Sequence, residues 1–365
     1  MEKYRSGHNE RDSKSCCRQA RGFESHLLRQ SGAFASAKVL FYFIGGGSIL
    51  KFYLASLATE NKGLLCGILE NNQIALNSVC SEIASRGYAI KSLDEKRLYS
   101  LSQKDGTEFV AIYNIENGAP LYETAKEIPG GVSCHLTESP DGKFIYVANY
   151  GKGTVDYVST INDTVGSFDC NESGNSKMHM VQFRPGSDEL FAVDLGCNCI
   201  YIFDYDKETG ALTKKSEIKT KEGGPRHLTF LSPDVFYLIY ENANLVDVFE
   251  LENGAFTCKQ SLSTLPEGCE TESYGAAIKI ADGKLYVSNR GHDSVMQYEI
   301  LADHSLKALN CFALDGSFPR DFAVIEDKLL LTFQKSDKVM LYQLGETLVP
   351  LSSFDGHNGL IGVCL

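Results

Sequence analysis

Six segments of one pattern recur along this chain at nearly even spacing, and that period limits the possible folds more than any other feature. EFVAIYNI, TVDYVSTI, CIYIFDYD, LVDVFELE, SVMQYEIL and KVMLYQLG are each dense in Val, Ile, Tyr and Phe. Anchored on Val110, Val155, Ile200, Val246, Val295 and Val339, they lie 45, 45, 46, 49 and 44 residues apart. Five carry an aromatic residue three positions after the anchor: Tyr113, Phe203, Phe249, Tyr298 and Tyr342. Runs of this composition read as strands. A second strand-like run precedes each of them: RLYSLSQ, FIYVANY, LFAVDLG, FYLIYEN, LYVSNRG and LLLTFQK. Turn signals such as Pro140-Asp141-Gly142, Pro185-Gly186 and Asp282-Gly283 come before those, and a further run such as HLTES or HLTFL before the turns.

Three strands and a weaker outer fourth fill a period of about 46, the size of a four-stranded propeller blade. Residues 38–365 hold seven such periods, so the expected fold is all-β, a seven-bladed β-propeller. Six blades are visible as internal repeats. The seventh must combine residues 39–79 with the C-terminal GLIGVCL, with an N-terminal strand near 39–44 and a C-terminal strand near 361–365. Sharing a blade in this way closes the ring without a free sheet edge. The chain has no Trp, which excludes an ordinary WD40 repeat. No segment keeps the 3.6-residue spacing that a helical solenoid of this period needs.

Composition narrows the function classes. With 43% hydrophobic residues the chain is not disordered. A net charge of -12 argues against nucleic acid as a partner. No run of about 18 apolar residues marks a membrane helix. Twelve cysteines are scattered without a C-x-x-C pair, as expected of reduced thiols in a cytoplasmic protein rather than a disulfide framework. No His/Asp/Glu cluster has ligand spacing, so no metal and no cofactor are expected. Residues 1–38 carry eight Lys/Arg and four Asp/Glu against a strongly acidic remainder, and show no period. Residues 1–37 therefore read as a disordered or spurious extension, and residues 38–365 as the propeller domain. Gly45-Gly46-Gly47 and Gly151-Lys152-Gly153 read as turns, since neither precedes a helix as a phosphate loop must.

Several strings resemble one known family. They are Cys134-His135-Leu136 with Pro140-Asp141-Gly142-Lys143 and Val147-Ala148-Asn149-Tyr150-Gly151, His179 to Phe183 with Val193-Asp194-Leu195-Gly196, and Gly224-Pro225-Arg226-His227-Leu228. SNRGHDS, Ser288 to Ser294, is the most specific, and Pro319-Arg320 opens the last full repeat. In these strings the chain resembles the seven-bladed lactonase propellers, which include bacterial 6-phosphogluconolactonase and fungal carboxy-muconate cyclase. Glu241-Asn242 reverses the order Asn-Glu usual in that family. The resemblance implies a small-molecule sugar lactone, phosphorylated, as substrate, and a place in the oxidative pentose phosphate route. A muconate-type lactonising enzyme and a non-catalytic binding propeller are the alternatives.

Hairpin geometry places the candidate residues. The start of each first strand and the end of its second lie at one face, which puts His135 near Asn149, His179 near Asp194 and Arg226 near Glu241, with Arg290 joining them. Inner strands line the central channel, so these positions converge there. Each has a plainer reading: the histidines as packed spacers, Asn149 and Asp194 as turn residues, the arginines as partners in a structural ion-pair ring. His292 reads as a loop residue. For lactone hydrolysis His179 is expected to be the general base or acid, oriented by Asp194. Arg226 and Arg290 would hold anionic groups and the oxyanion, and Glu241 would position an arginine or the water. His135, Asn149 and Asp194 are expected to contact substrate.

Overall fold

The computed structural model describes residues 42–43, 48–56, 63–80, 82–355 and 360–365. The expected extension, 1–37, lies outside them. Seven antiparallel sheets follow one another around a ring. Six are four-stranded and built from consecutive strands, with first strands at Ala84–Lys91, Ser133–Glu138, Met178–Phe183, Pro225–Ser232, Tyr274–Ala281 and Pro319–Ile325. We number them blades 2 to 7. Blade 1 closes the ring. In it Ser48–Ser56 pairs with Leu64–Glu70 on one side, and on the other with both Tyr42–Phe43 and the C-terminal strand Leu360–Cys364. The anchor segments found by their period are the third strands of blades 2 to 7. Among the described residues no helix is long and apolar enough to cross a membrane.

The second strands explain why the repeat reads so apolar. In a blade, both faces of an inner strand are covered by neighbouring blades, so successive residues feed two different cores. Phe144, Tyr146 and Ala148 enter the core between blades 3 and 4, while Ile145 and Val147 enter that between blades 2 and 3. Phe236, Leu238 and Tyr240 face blade 4, and Tyr237 and Ile239 face blade 6. One such core lies at each of the seven blade interfaces, including the one that joins blade 7 to blade 1. Fourth strands such as LTKKSEIK are mostly exposed, which is why their sequence signal is weak. Truncating a fully buried core residue such as Leu238 to Ala should cost about 2–5 kcal/mol.

Candidate active site

A bulge interrupts the innermost strand of every blade, which is the first strand in blades 2 to 7 and Leu360–Cys364 in blade 1. In a bulge two residues face one on the partner strand, and the extra residue is re-aimed out of the regular alternation. The extra residue is Cys134 in blade 3, His179 in blade 4, Arg226 in blade 5 and Arg320 in blade 7. Arg226, Arg320 and Cys134 line a cavity of about 80 Å³ together with Arg86, Tyr88, Ser133 and His227. Side chains from blades 2, 3, 5 and 7 can meet only on the ring axis, so this cavity is the mouth of the channel. A larger concavity of about 520 Å³ opens on the outer strands of blades 3 and 4. Its lysines already have partners: Lys214 pairs with Glu217 at 2.8 Å and lies over the Tyr201 ring, and Lys219 pairs with Glu217 too.

One carboxylate organises the mouth. Glu241 Oε2 accepts from Arg226 Nε and from Arg290 Nη2, each at 2.9 Å. The reversed Glu241-Asn242 order therefore leaves the carboxylate in the site. Gly224 helps to place it: at φ +68, a conformation that favours glycine, its carbonyl accepts the Glu241 N–H at 2.7 Å. Gly275 lets blade 6 approach, since a Cβ there would sit 2.4 Å from the Tyr240 carbonyl oxygen. The Gly275 N–H then donates to the Glu241 carbonyl at 2.8 Å, and its own carbonyl accepts from Arg290 at 2.9 Å. Arg226 also donates to the Ala276 carbonyl at 2.7 Å. Burial alone would raise the Glu241 pKa. The charges of Arg226 and Arg290 outweigh it and hold the carboxylate below its usual range. Burial and the neighbouring guanidiniums push Arg290 down to about 9 and Arg320 to about 10, so both stay charged at neutral pH.

Three imidazoles lie beside this cluster. The His227 ring centre is 5.1 Å from that of His179 and 5.5 Å from that of His135, and Tyr88 packs on His135 at 4.2 Å. Arg226 Nη1 lies 3.4 Å from His227 Nε2. Burial, then Lys279 and Arg226, pushes His135 down to about 3. Burial, then Arg226, Arg320 and Arg290, holds His179 well below the usual histidine range. Both imidazoles are therefore neutral at pH 7, the form that can take a proton. Nδ1 is buried without a hydrogen-bond partner in each.

The structure brings His179, Arg226, Glu241 and Arg290 together, with His135 behind His227, but not Asn149 or Asp194. His135 sits opposite Ala148, and a side chain one residue further along a strand points to the other face. Asn149 Oδ1 accepts the backbone N–H groups of Val132 and Lys152 at 3.3 and 3.2 Å, and its Nδ2 donates to Asp156 at 3.1 Å. Asp194 Oδ1 accepts from the backbone of Lys177, Gly196 and Cys197 at 2.8, 2.9 and 3.0 Å. These bonds tie Asn149 and Asp194 into the loops that follow their strands, and Asp194 makes no hydrogen bond to His179. His292 is indeed in a loop, bonded to Ser294 at 2.8 Å. Arg320 was not among the expected site residues. Its signal was the Pro-Arg pair, Pro225-Arg226 and Pro319-Arg320, at equivalent places in blades 5 and 7. Arg86 had no such signal. The described cysteines other than Cys66 are free.

The family description "Lactonase, 7-bladed beta-propeller" matches residues 51–357. The chain belongs to this lactonase family. The Bacillus subtilis 6-phosphogluconolactonase is 27% identical over 319 residues, covering 80% of this chain and 91% of that one. An uncharacterised Staphylococcus epidermidis protein is 28% identical over 308 residues, covering 77% and 87%. Among solved structures, a Lactobacillus plantarum protein superposes with TM-score 0.78 at 22% identity over 87% of this lactonase-family chain and 99% of its own. The Pseudomonas aeruginosa periplasmic gluconolactonase matches with the same TM-score at 19% identity, over 87% and 98%.

Proposed function

We propose that this chain hydrolyses a sugar lactone at the channel mouth, with 6-phosphogluconolactone as substrate. The observation that carries the reading is a neutral, buried His179 beside an ionised Glu241 clamped by Arg226 and Arg290. Water attacks the lactone carbonyl carbon and its proton passes to His179. Glu241 Oε1, which has no protein donor among the described residues, accepts the other water hydrogen and aims the oxygen. Guanidinium N–H groups not engaged with Glu241 hold the oxyanion, already oriented before charge develops. The ring C–O bond then breaks and His179 returns the proton to the leaving oxygen, giving the open hydroxy acid. The names of the Bacillus subtilis and Pseudomonas aeruginosa relatives support the sugar-lactone class. Free cysteines suit a cytoplasmic site of action in the oxidative pentose phosphate route.

The test is hydrolysis by purified protein of 6-phosphogluconolactone against plain gluconolactone. A higher kcat/KM for the phosphorylated lactone is the expected result. An excess of guanidiniums over carboxylates at the mouth also suits a dicarboxylate, so a muconate-type lactonising substrate is the second one to assay. Turnover of neither lactone would overturn the reading.

A further inference from the structure

Four arginines reach the channel mouth, and Glu241 forms ion pairs with only two of them. Arg226 and Arg290 share its Oε2, and each donates once more to a backbone carbonyl of blade 6. Arg320 is held differently. Among the described residues its side chain makes one hydrogen bond, from Nη1 to the neutral amide oxygen of Gln334 at 3.2 Å. A guanidinium has five N–H donors in a fixed fork, so most of those on Arg320 have no protein acceptor. Across the same cavity stands Arg86, for which the described residues supply no carboxylate partner either.

The other charges nearby are committed. Asp321 pairs with Lys279 at 3.5 Å and accepts the Val363 backbone N–H at 3.1 Å. Glu108 accepts from the backbone and hydroxyl of Ser133. The imidazoles of His135 and His179 are neutral. Among the described residues neither of the half-buried Arg320 and Arg86 has a carboxylate in an ion pair, and Glu241 and Asp321 act on Arg320 only from further off, so a buried cation here gains from an anion brought by a ligand.

We infer that Arg320 and Arg86 form an oxyanion subsite, distinct from the Arg226–Glu241–Arg290 clamp, which takes the anionic substituent of the substrate. This deepens the proposed function, resting on its placement of the lactone at the mouth. The clamp arginines serve the carbonyl end, and the Arg320–Arg86 side serves a compact oxyanion such as phosphate. Gln334 is a positioning residue, because it fixes the Arg320 fork without neutralising it. Two planar forks suit the several oxygens of a phosphate.

The experiment is calorimetric titration of the full chain with inorganic phosphate, which does not depend on catalysis. Wild type should bind at millimolar or lower concentration. Arg320→Gln and Arg86→Gln should each weaken binding about tenfold or more, and Arg320→Lys should restore part of it. Gln334→Glu gives Arg320 a carboxylate of its own and should weaken phosphate binding to the same degree, with thermal unfolding unchanged. Binding within twofold of wild type in both glutamine variants, or no binding by wild type, overturns the subsite. A parallel titration with malonate separates the anions: tighter malonate binding overturns phosphate as the occupant. Failure of lactone hydrolysis bears on the proposed function alone, since the phosphate titration reads the subsite independently.

Discussion

Arg290 and Glu241 come from neighbouring blades, and their side chains meet at 2.9 Å, Nη2 to Oε2. Arg290 is the last residue of its blade's second strand and Glu241 directly follows its own, where the ring brings successive blades together on the axis. The same carboxylate oxygen also holds Arg226, so a single negative charge is shared between two buried cations and the cluster stays net positive. Glu241→Gln keeps the shape and removes the charge. It should lower unfolding free energy by about 1–3 kcal/mol in urea titrations and reduce kcat/KM by roughly 10² or more. Wild-type activity in that variant would mean that the clamp is only architectural.

Arg290→Lys tests the division of labour among the arginines. A lysine keeps the charge but cannot serve both Glu241 and the Gly275 carbonyl in one planar fork. Because those two bonds occupy Arg290 within the protein, kcat/KM should fall by roughly tenfold or more on phosphorylated and plain lactone alike. A loss confined to the phosphorylated lactone, read as a selective rise in KM, would move phosphate recognition onto Arg290.

His179→Ala should lower kcat by roughly 10² to 10⁴, the usual contribution of a positioned acid–base group, with an unchanged circular dichroism spectrum. The pH profile carries a second readout. Burial and three arginines hold the His179 pKa well below the ordinary value, so the active neutral form persists well into the acid range. The log of kcat/KM should therefore stay flat through pH 6.5 and bend downward only at lower pH. An inflection near 6.5 would show a solvated histidine instead.

The ring itself was legible in the sequence because repetition constrains it many times over. Six copies of the third strand, each with Val or Ile at the anchor, repeat one register, and the apolar second strands follow from burial on both faces. Blade 1 was legible only by elimination, since its strands come from both ends of the described chain. The site was half legible. His179, Arg226, Glu241 and Arg290 sit at strand ends that hairpin geometry brings to one face. The engagement of Asn149 and Asp194 with their loops, rather than with the arginine cluster, has one cause. A one-residue offset beside a bulge turns a side chain to the other face of the sheet, and no period of about 46 encodes where the bulge falls. Arg320 is the converse, a bulge residue whose aim into the channel follows from register rather than residue type.

Closure of the ring makes its own prediction. The strand Leu360–Cys364 supplies the inner edge of blade 1, and Asp321 of blade 7 accepts the Val363 N–H at 3.1 Å while pairing with Lys279 of blade 6. Val363 and Leu365 also pack on the core between blades 7 and 1. Deleting residues 356–365 bares a strand edge and opens that core. The truncated chain should melt roughly 7 °C lower, the shift expected for a loss of about 5 kcal/mol in a chain of this size. Asp321→Asn should cost less, since the strand remains. An unchanged melting temperature after the deletion would mean that the other six blades hold the ring without closure.

Acid should weaken the fold through the buried imidazoles. In the folded ring His135 titrates near 3, pushed down first by burial and then by the charges of Lys279 and Arg226. In the unfolded chain it titrates near the ordinary histidine value of about 6.5. Between those limits the unfolded chain binds a proton that the folded ring refuses, so stability falls as pH falls. The loss is about 1.4 kcal/mol per pH unit for one such imidazole, or about 2 kcal/mol from His135 by pH 5. Carboxylates also lose stability in acid, but they are common to wild type and variant and cancel in a comparison. His135→Gln, whatever it costs at pH 7.5, should therefore lose about 2 kcal/mol less than wild type between pH 7.5 and 5.0 in urea unfolding. Parallel losses in the two proteins would mean that His135 takes up its proton inside the folded ring, which would remove the case for a neutral imidazole layer beneath the arginines.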